Sequence, residues 1–281
     1  MKIKILFTLL LLAATATFTN AQQLNVGTYN IRYDSKDDSI AGNGWRARYP
    51  NIAQIIRFNE LDIFGTQEGQ YHQLTQLNDS LPGYKWIGAG RDDGKHGGEH
   101  SAIFYRSDKF KIIKSGDFWM STITDKPNKG WDAALPRICS WAQFKELKTG
   151  LVFNFFNLHM DHIGVVARRE SAKLVMAKIR QMAGNTPTIL TGDFNVDQTN
   201  ESYTLINTSG LLRDAYELSP VRLAASNTFN AYDVNKAGDS RIDHIFVTNK
   251  FKVTRYGILT NTYHGRLPSD HYPVVVTLKY K

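Results

Sequence analysis

Asp193 and Asn195, an acid and an amide two residues apart, stand in Gly192-Asp193-Phe194-Asn195, just after the β-branched run Thr186-Pro187-Thr188-Ile189-Leu190-Thr191. Such a run reads as a buried strand. Side chains alternate along a strand, so positions i and i+2 at its end can face one crevice. A carboxylate and an amide placed there can orient a water, hold a phosphate oxygen or reach a metal. Gly192 would permit a turn or a close backbone approach to a ligand. Asp, Asn and Gly are also ordinary turn residues, so the motif gains chemical meaning only from its company.

That company is considerable. Asn30, Glu68, Glu99, His159, Asp243 and the Asp270-His271 pair all fall at predicted strand ends or in adjoining loops. Asp243 interrupts the apolar pattern of Arg241-Ile242-Asp243-His244-Ile245-Phe246-Val247, where a charge is costly without a partner. Asp270 and His271 directly precede Tyr272-Pro273-Val274-Val275-Val276, and a carboxylate beside an imidazole holds its tautomer and raises its basicity. Taken singly, each has a plain structural explanation: Asn30 as a turn cap, Glu68 as a surface acid, His159 as a polar residue satisfied by Asp161. Together they form an acid–base set rich in oxygen donors. No Cys/His cluster has zinc spacing.

These residues need elements to carry them. Strands are predicted over 24–31, 62–68, 84–87, 101–105, 110–120, 137–144, 151–158, 186–191, 241–248, 251–259 and 272–278. Helices are predicted over 49–59, from Tyr71 to Leu77, over 164–182 and over 201–207. In the 164–182 helix, Val166, Leu174, Ala177 and Ile179 are expected to face the core. The loop Gly88–His100, with five glycines and two histidines, is expected to move or touch ligand rather than pack. Helices interspersed among more numerous strands predict an α/β (α+β) fold of two packed mixed sheets with helices outside. Residues 22–281 are read as a single domain.

Length, charge and cysteine count set the outer limits. Lys2 and Lys4 precede an apolar run, and small residues lead to Ala21, the order of a secretory signal with cleavage near Ala21. Residues 1–21 are therefore expected to be removed, leaving an exported chain, periplasmic or extracellular. That removal takes two lysines and no acid from a net charge of +8, so the mature chain stays basic, which suits an anionic partner. No later stretch approaches the ~18 apolar residues of a membrane span. Cys139 is the only cysteine, so no internal disulfide can form, and it reads as a buried small hydrophobe.

Tyr29-Asn30-Ile31-Arg32, Gln67-Glu68, Asn157-Leu158-His159-Met160-Asp161, Gly192-Asp193-Phe194-Asn195, Ile242-Asp243-His244 and Ser269-Asp270-His271 lie in one order across the chain. This set resembles the endonuclease/exonuclease/phosphatase superfamily, the DNase I-like phosphoesterases. The resemblance implies a four-layer α/β sandwich with its site where strand ends meet. It implies that Glu68 is the principal metal ligand, with Asn30 beside it and Asp270 close by. Asp193 would activate the attacking water, which Asn195 would hold together with a phosphate oxygen. His271, polarised by Asp243, would hydrogen-bond the phosphate. His159 would contact the scissile phosphate or protonate the leaving group, with Glu99 as its partner. Arg137 would be a further phosphate contact, although an arginine at a strand start is often only a surface charge. The cofactor implied is Mg²⁺, with Mn²⁺ as the alternative, because carboxylates, an amide and waters suit a hard cation.

The substrate class expected is a phosphate ester, cleaved by in-line attack of an activated water, with a phosphodiesterase ahead of a monoesterase. Nucleic acid, a phospholipid headgroup and a phosphorylated small molecule are the candidate partners of a chain expected to be monomeric. A nuclease, a sphingomyelinase-like enzyme and a sugar or inositol phosphatase are the specific alternatives. Substrate choice is assigned to the loops 34–48, 88–100, 122–136 and 219–238, which carry Trp45, Trp131, Phe229 and Tyr232. A binding protein of this fold without catalysis would need an incomplete chemical set, and the set is complete. A glycosidase using Glu68 and Asp193 would leave Asn195, His159 and Asp270-His271 without roles.

Overall fold

The computed structural model describes residues 23–223 and 226–280. The expected export signal, residues 1–21, lies outside the described residues. Along the chain come β1 (Gln23–Asn30), α1 (Lys36–Ile40), α2 (Trp45–Phe58), β2 (Ile63–Gln67), β3 (Gly69–Gln70), α3 (Tyr71–Asp79), β4 (Tyr84–Ile87), β5 (Glu99–His100) and β6 (Ile103–Arg106). Next are β7 (Phe110–Trp119), β8 (Ile138–Glu146), β9 (Val152–His159), α4 (Val165–Ala183), β10 (Thr188–Asp193), α5 (Glu201–Asn207) and β11 (Arg213–Asp214). The chain closes with α6 (Ala215–Leu218), β12 (Arg222–Leu223), β13 (Asp243–Val247), β14 (Phe251–Ile258) and β15 (Val274–Tyr280).

Two mixed sheets carry the site. One has the order β12-β14-β15-β1-β2-β6-β4, the other β11-β13-β10-β9-β8-β7. Alternation along each strand sends one set of side chains between the sheets and the other set outward. Val26, Ile63 and Ile103 of the first sheet meet Phe144, Phe153, Phe155 and Ile189 of the second in the central core. The outward set of the first sheet, including Phe64 and Phe104, is covered by α2 and α3 through Ile52, Ile56, Leu74 and Leu77. The outward set of the second, including Phe156, Leu158 and Leu190, is covered by α4 and α5 through Val175, Ile179, Tyr203 and Ile206. Helix, sheet, sheet, helix: this is the expected four-layer sandwich. Burying a large apolar side chain is worth about 1.5–3 kcal/mol, and these three clusters stabilise the fold without disulfides.

One buried polar side chain ties the sheets together. Asn157 of β9 donates from Nδ2 to the Thr66 and Ala102 carbonyls (2.9 and 3.0 Å) and accepts at Oδ1 from Gln67 and Thr191 (2.7 and 3.0 Å). Gly65 opposite it makes room, since a Cβ there would stand 2.1 Å from Asn157 Oδ1.

Several local expectations are corrected. Helix α4 turns Ala167, Ser171, Ala172, Val175, Met176, Ile179 and Ala183 inward, whereas Val166 and Ala177 are exposed and Leu174 is half-buried. Small residues let the helix approach the sheet, so bulk was a poor guide to its buried face. Helix α2 starts at Trp45 rather than Tyr49; Trp45 is buried and donates to Gln76 Oε1 (2.8 Å), anchoring the first turn. The glycine-rich loop is partly packed: β5 pairs with β3, and Arg91 and His100 are buried. Gly192 serves strand packing and not ligand approach, because a Cβ there would lie 2.4 Å from the Leu158 carbonyl on β9.

Candidate active site

The strand register explains why distant residues meet. β1 and β2 run parallel with Asn30 opposite Gln67, so Asn30 and Glu68 leave the sheet at one edge. β9 and β10 are parallel too, with Asp193 opposite His159. β13 runs antiparallel to β10 and begins where β10 ends, placing Asp243 opposite Asp193. β15 runs antiparallel beside β1 and begins at Val274, three residues after His271. These ends surround a cleft of about 450 Å³ lined by Glu68, Glu99, Arg137, His159, Asp193, Asn195, Asp270 and His271, among others. Asn30 and Asp243 lie buried directly beneath.

His271 is the charged centre. Its Nδ1 is 2.9 Å from Asp243 Oδ2, and its Nε2 is 3.7 Å from Asp193 Oδ2. Burial disfavours its charged form, but the Asp243 and Asp193 carboxylates outweigh that cost and push its pKa up to about 10. Asp193 is pushed up to about 7 by burial and by the neighbouring Asp243 charge, His271 and Asn30 opposing. It is thus poised as a base near neutral pH. Asn30 Nδ2 donates to both Glu68 Oε1 and Asp193 Oδ2 (3.0 Å each), coupling two carboxylates through one amide.

His159 has the opposite character. Asn195 Nδ2 faces its Nε2 at 3.1 Å and the Met160 carbonyl at 3.0 Å. An amide N–H donates, so His159 Nε2 accepts and the ring is neutral with its proton on Nδ1, 3.9 Å from Glu99 Oε2. Burial, together with the Arg137 and Arg91 charges, holds its pKa well below the usual histidine range. This geometry favours a phosphate contact over an acid role. Glu99 is pushed up to about 7 by burial, although Arg91 grips it at 2.8 Å.

Arg137 is buried, not a surface charge. Its Nε donates to Asp161 Oδ2 (3.1 Å), its Nη2 donates to His162 Nδ1 (2.8 Å), and its Nη1 has no partner among the described residues. Asp161 also accepts from the Ile163 and Gly164 amides, and despite burial these bonds and Arg137 hold its carboxyl well below the usual range. Across the cleft, Glu68 Oε2 and Asp270 Oδ2 stand 3.8 and 3.6 Å from the Arg32 guanidinium. Burial and the nearby Glu68 raise Asp270, His271 and Arg32 opposing. Three site residues, Arg32, Glu68 and Asn195, have φ of 57°, 64° and 51°, a left-handed conformation costing a non-glycine residue about 1–2 kcal/mol.

Two groups of oxygen donors could attract a cation. Asp193, Asp243 and His271 lie mutually within 4.8 Å. There the imidazolium already supplies the positive charge, and both its nitrogens face carboxylates. Glu68 and Asp270, with Asn30 between Glu68 and Asp193, present carboxylate oxygens toward the cleft and draw a guanidinium toward themselves. That donor chemistry fits Mg²⁺ or Mn²⁺ better.

Sequence reading did not assign roles to Arg32, Arg91 or His162, which line the same cleft. Arginines and a loop histidine carry no periodic signal, so their convergence on one cleft, and the burial of Arg91, emerge only from packing. Of the loop aromatics, Phe229 lines the cleft with its ring centroid 5.0 Å from that of His271, while Trp45 is a core anchor.

Comparison with known proteins agrees with this geometry. Residues 27–271 match the Endonuclease/Exonuclease/phosphatase family. The fold superposes on an endonuclease/exonuclease/phosphatase family protein of Bacteroides thetaiotaomicron with a TM-score of 0.91 at 54% identity, covering 92% of this chain and 96% of that one. It superposes equally well on the mannosyl-6-phosphatase Bt3783 of Bacteroides thetaiotaomicron VPI-5482, with a TM-score of 0.90 at 55% identity, covering 92% of this chain and 100% of that one. An uncharacterized protein, L388, of Acanthamoeba polyphaga mimivirus is 28% identical over 250 residues, 83% of this chain and 91% of that protein. Strand ends that gather acids, amides and histidines into one cleft, on this fold and in this family, have one reading: the chain belongs to the Endonuclease/Exonuclease/phosphatase family and is a hydrolase of phosphoric esters.

Proposed function

We propose that the chain is an exported, metal-dependent phosphatase that removes the phosphoryl group of a phosphomonoester, a phosphorylated sugar first among them. The observation that carries this reading is the Arg137 guanidinium, buried in the cleft wall with Nη1 lacking any partner among the described residues. Beside it is the buried Arg91, whose Nε also lacks a partner among the described residues. A phosphomonoester carries nearly two negative charges at neutral pH, where a diester carries one. A wall of buried N–H donors suits the dianion. Sequence reading placed the diester first; this wall and the 55% identity to a mannosyl-6-phosphatase favour the monoester.

Within that reading the chain's own groups divide the work. Arg137, His159 and Asn195 hold the phosphoryl oxygens. Asp193 accepts the proton of the attacking water, since its raised pKa matches neutral operation. His271, kept protonated by Asp243, donates to an oxygen that gains charge during the reaction. Glu68 and Asp270, supported by Asn30, would hold Mg²⁺ or Mn²⁺, which when bound supplies further neutralisation of phosphoryl charge. Residues 22–281 act as one catalytic domain following the export signal at 1–21. Among the described residues no helix is long and apolar enough to cross a membrane.

The test is turnover of mannose 6-phosphate, p-nitrophenyl phosphate and bis-(p-nitrophenyl) phosphate, in EDTA and after adding Mg²⁺ or Mn²⁺. Expected are monoester hydrolysis restored by metal and a KM raised ~10–100-fold in Arg137→Lys, the loss of one charge-assisted bond. Faster turnover of the diester would replace this reading with a phosphodiesterase.

A further inference from the structure

Arg32 takes no part in the chemistry above, yet it stands between the carboxylates assigned to the metal. The fold places it deliberately. Its amide donates to Asn30 Oδ1 (3.0 Å), and its carbonyl accepts from Gln73 Nε2 and Arg48 Nη2 (3.0 and 3.1 Å). Those bonds hold a backbone with φ of 57°, which an arginine adopts only under strain. Its Nε is tethered to Asp38 Oδ2 at 2.9 Å, while Nη1 lies 3.6 Å from Asp270 Oδ2 and 3.8 Å from Glu68 Oε2. Two carboxylates facing one small volume repel each other unless a cation intervenes. Here a side chain of the protein supplies it.

We propose that Arg32 is an internal counter-ion that competes with the divalent cation for Glu68 and Asp270 and so sets the metal affinity of the site. This rests on the metal reading given above. Whether an incoming cation displaces the guanidinium or binds beside it, the positive charge of Arg32 lowers the affinity, and by linkage the metal weakens the hold on Arg32 to the same degree. The Asp38 tether keeps a released guanidinium on the cleft wall, where Arg32 already lies. There it can meet the anionic substrate.

Mn²⁺ binding and thermal stability, both measured without substrate, test this in the wild type, Arg32→Gln and Arg32→Gly. Arg32→Gln is expected to bind Mn²⁺ about tenfold more tightly. It is also expected to melt below the wild type in EDTA and to recover most of that difference at saturating Mn²⁺. Arg32→Gly, whose backbone suits a φ of 57°, should bind Mn²⁺ as tightly as Arg32→Gln, which separates the guanidinium from any change in backbone geometry. Unchanged or weaker Mn²⁺ binding in both variants would overturn the proposal. A wild type that binds no Mn²⁺ at all would instead overturn the metal reading on which it rests.

Discussion

Replacing Asp243 with Asn tests the charge logic of the site directly. The substitution keeps the shape of the side chain but removes the carboxylate 2.9 Å from His271 Nδ1. Moving a histidine from 6.5 to about 10 favours its charged form by roughly 5 kcal/mol, at about 1.4 kcal/mol per pH unit. Asp243 and Asp193 are the largest contributors against burial. Asp243 is the first of these and the one in direct hydrogen-bond contact, so its removal should cost about 2–3 kcal/mol, the size of a hydrogen bond to a charged group. The folded pKa lies above the unfolded one. The stabilisation is therefore complete below about 6.5 and is lost as pH rises through about 10. Urea unfolding of the wild type and Asp243→Asn across that window should show a stability gap that narrows by about 2–3 kcal/mol toward the alkaline end. The alkaline fall in kcat should move to lower pH in the variant. A stability gap that stays constant or widens with pH would refute an imidazolium held by Asp243.

Three further outcomes follow from the same geometry. Asp193→Asn should lower kcat for a phosphomonoester ~10²–10⁴-fold with little change in KM, the range for losing a positioned base; steady-state kinetics on p-nitrophenyl phosphate decide it. Asn157→Leu should cost about 2–4 kcal/mol in urea unfolding, because the Thr66 and Ala102 carbonyls and the Gln67 and Thr191 donors all lose a buried partner. Asp161→Asn should melt several degrees below the wild type at pH 7. Its carboxylate is held below the usual range, so its contribution is present above the unfolded carboxyl pKa and fades as pH falls. The melting difference should accordingly shrink in acid, and a difference independent of pH would exclude the charge on Asp161 as its source.

Much of the site was legible because strand ends are. Alternation and β-branched runs located β1, β2, β9, β10, β13 and β15 to within a few residues, and the polar residues closing them stood out against apolar neighbours. Asp243 is the clearest case: a carboxylate in a buried run demands a partner, and His271 is that partner. The inward face of α4 was misread because small residues, Ala167, Ser171 and Ala172, let the helix sit close to the sheet. The Gly192 expectation failed for a related reason, since a neighbouring strand occupies the space a ligand was expected to use. Arg137 was assigned to phosphate only through family likeness; nothing local distinguishes a buried arginine from a surface one.

The sequence by itself determined the main strands and helices, a fold of mixed sheets with helices outside, the absence of any internal disulfide and the residue types available for phosphoester chemistry. These follow from periodicity, composition and the order of short motifs, all of which are local. Tertiary structure alone decided which ends meet, that His159 is neutral while His271 is charged, that Arg137 is buried with a free N–H, and that Arg32 sits between Glu68 and Asp270. Each depends on distances of a few ångströms between segments far apart in the chain. Parallel pairing of β1 with β2 and of β9 with β10 creates those distances, and no window of sequence contains them.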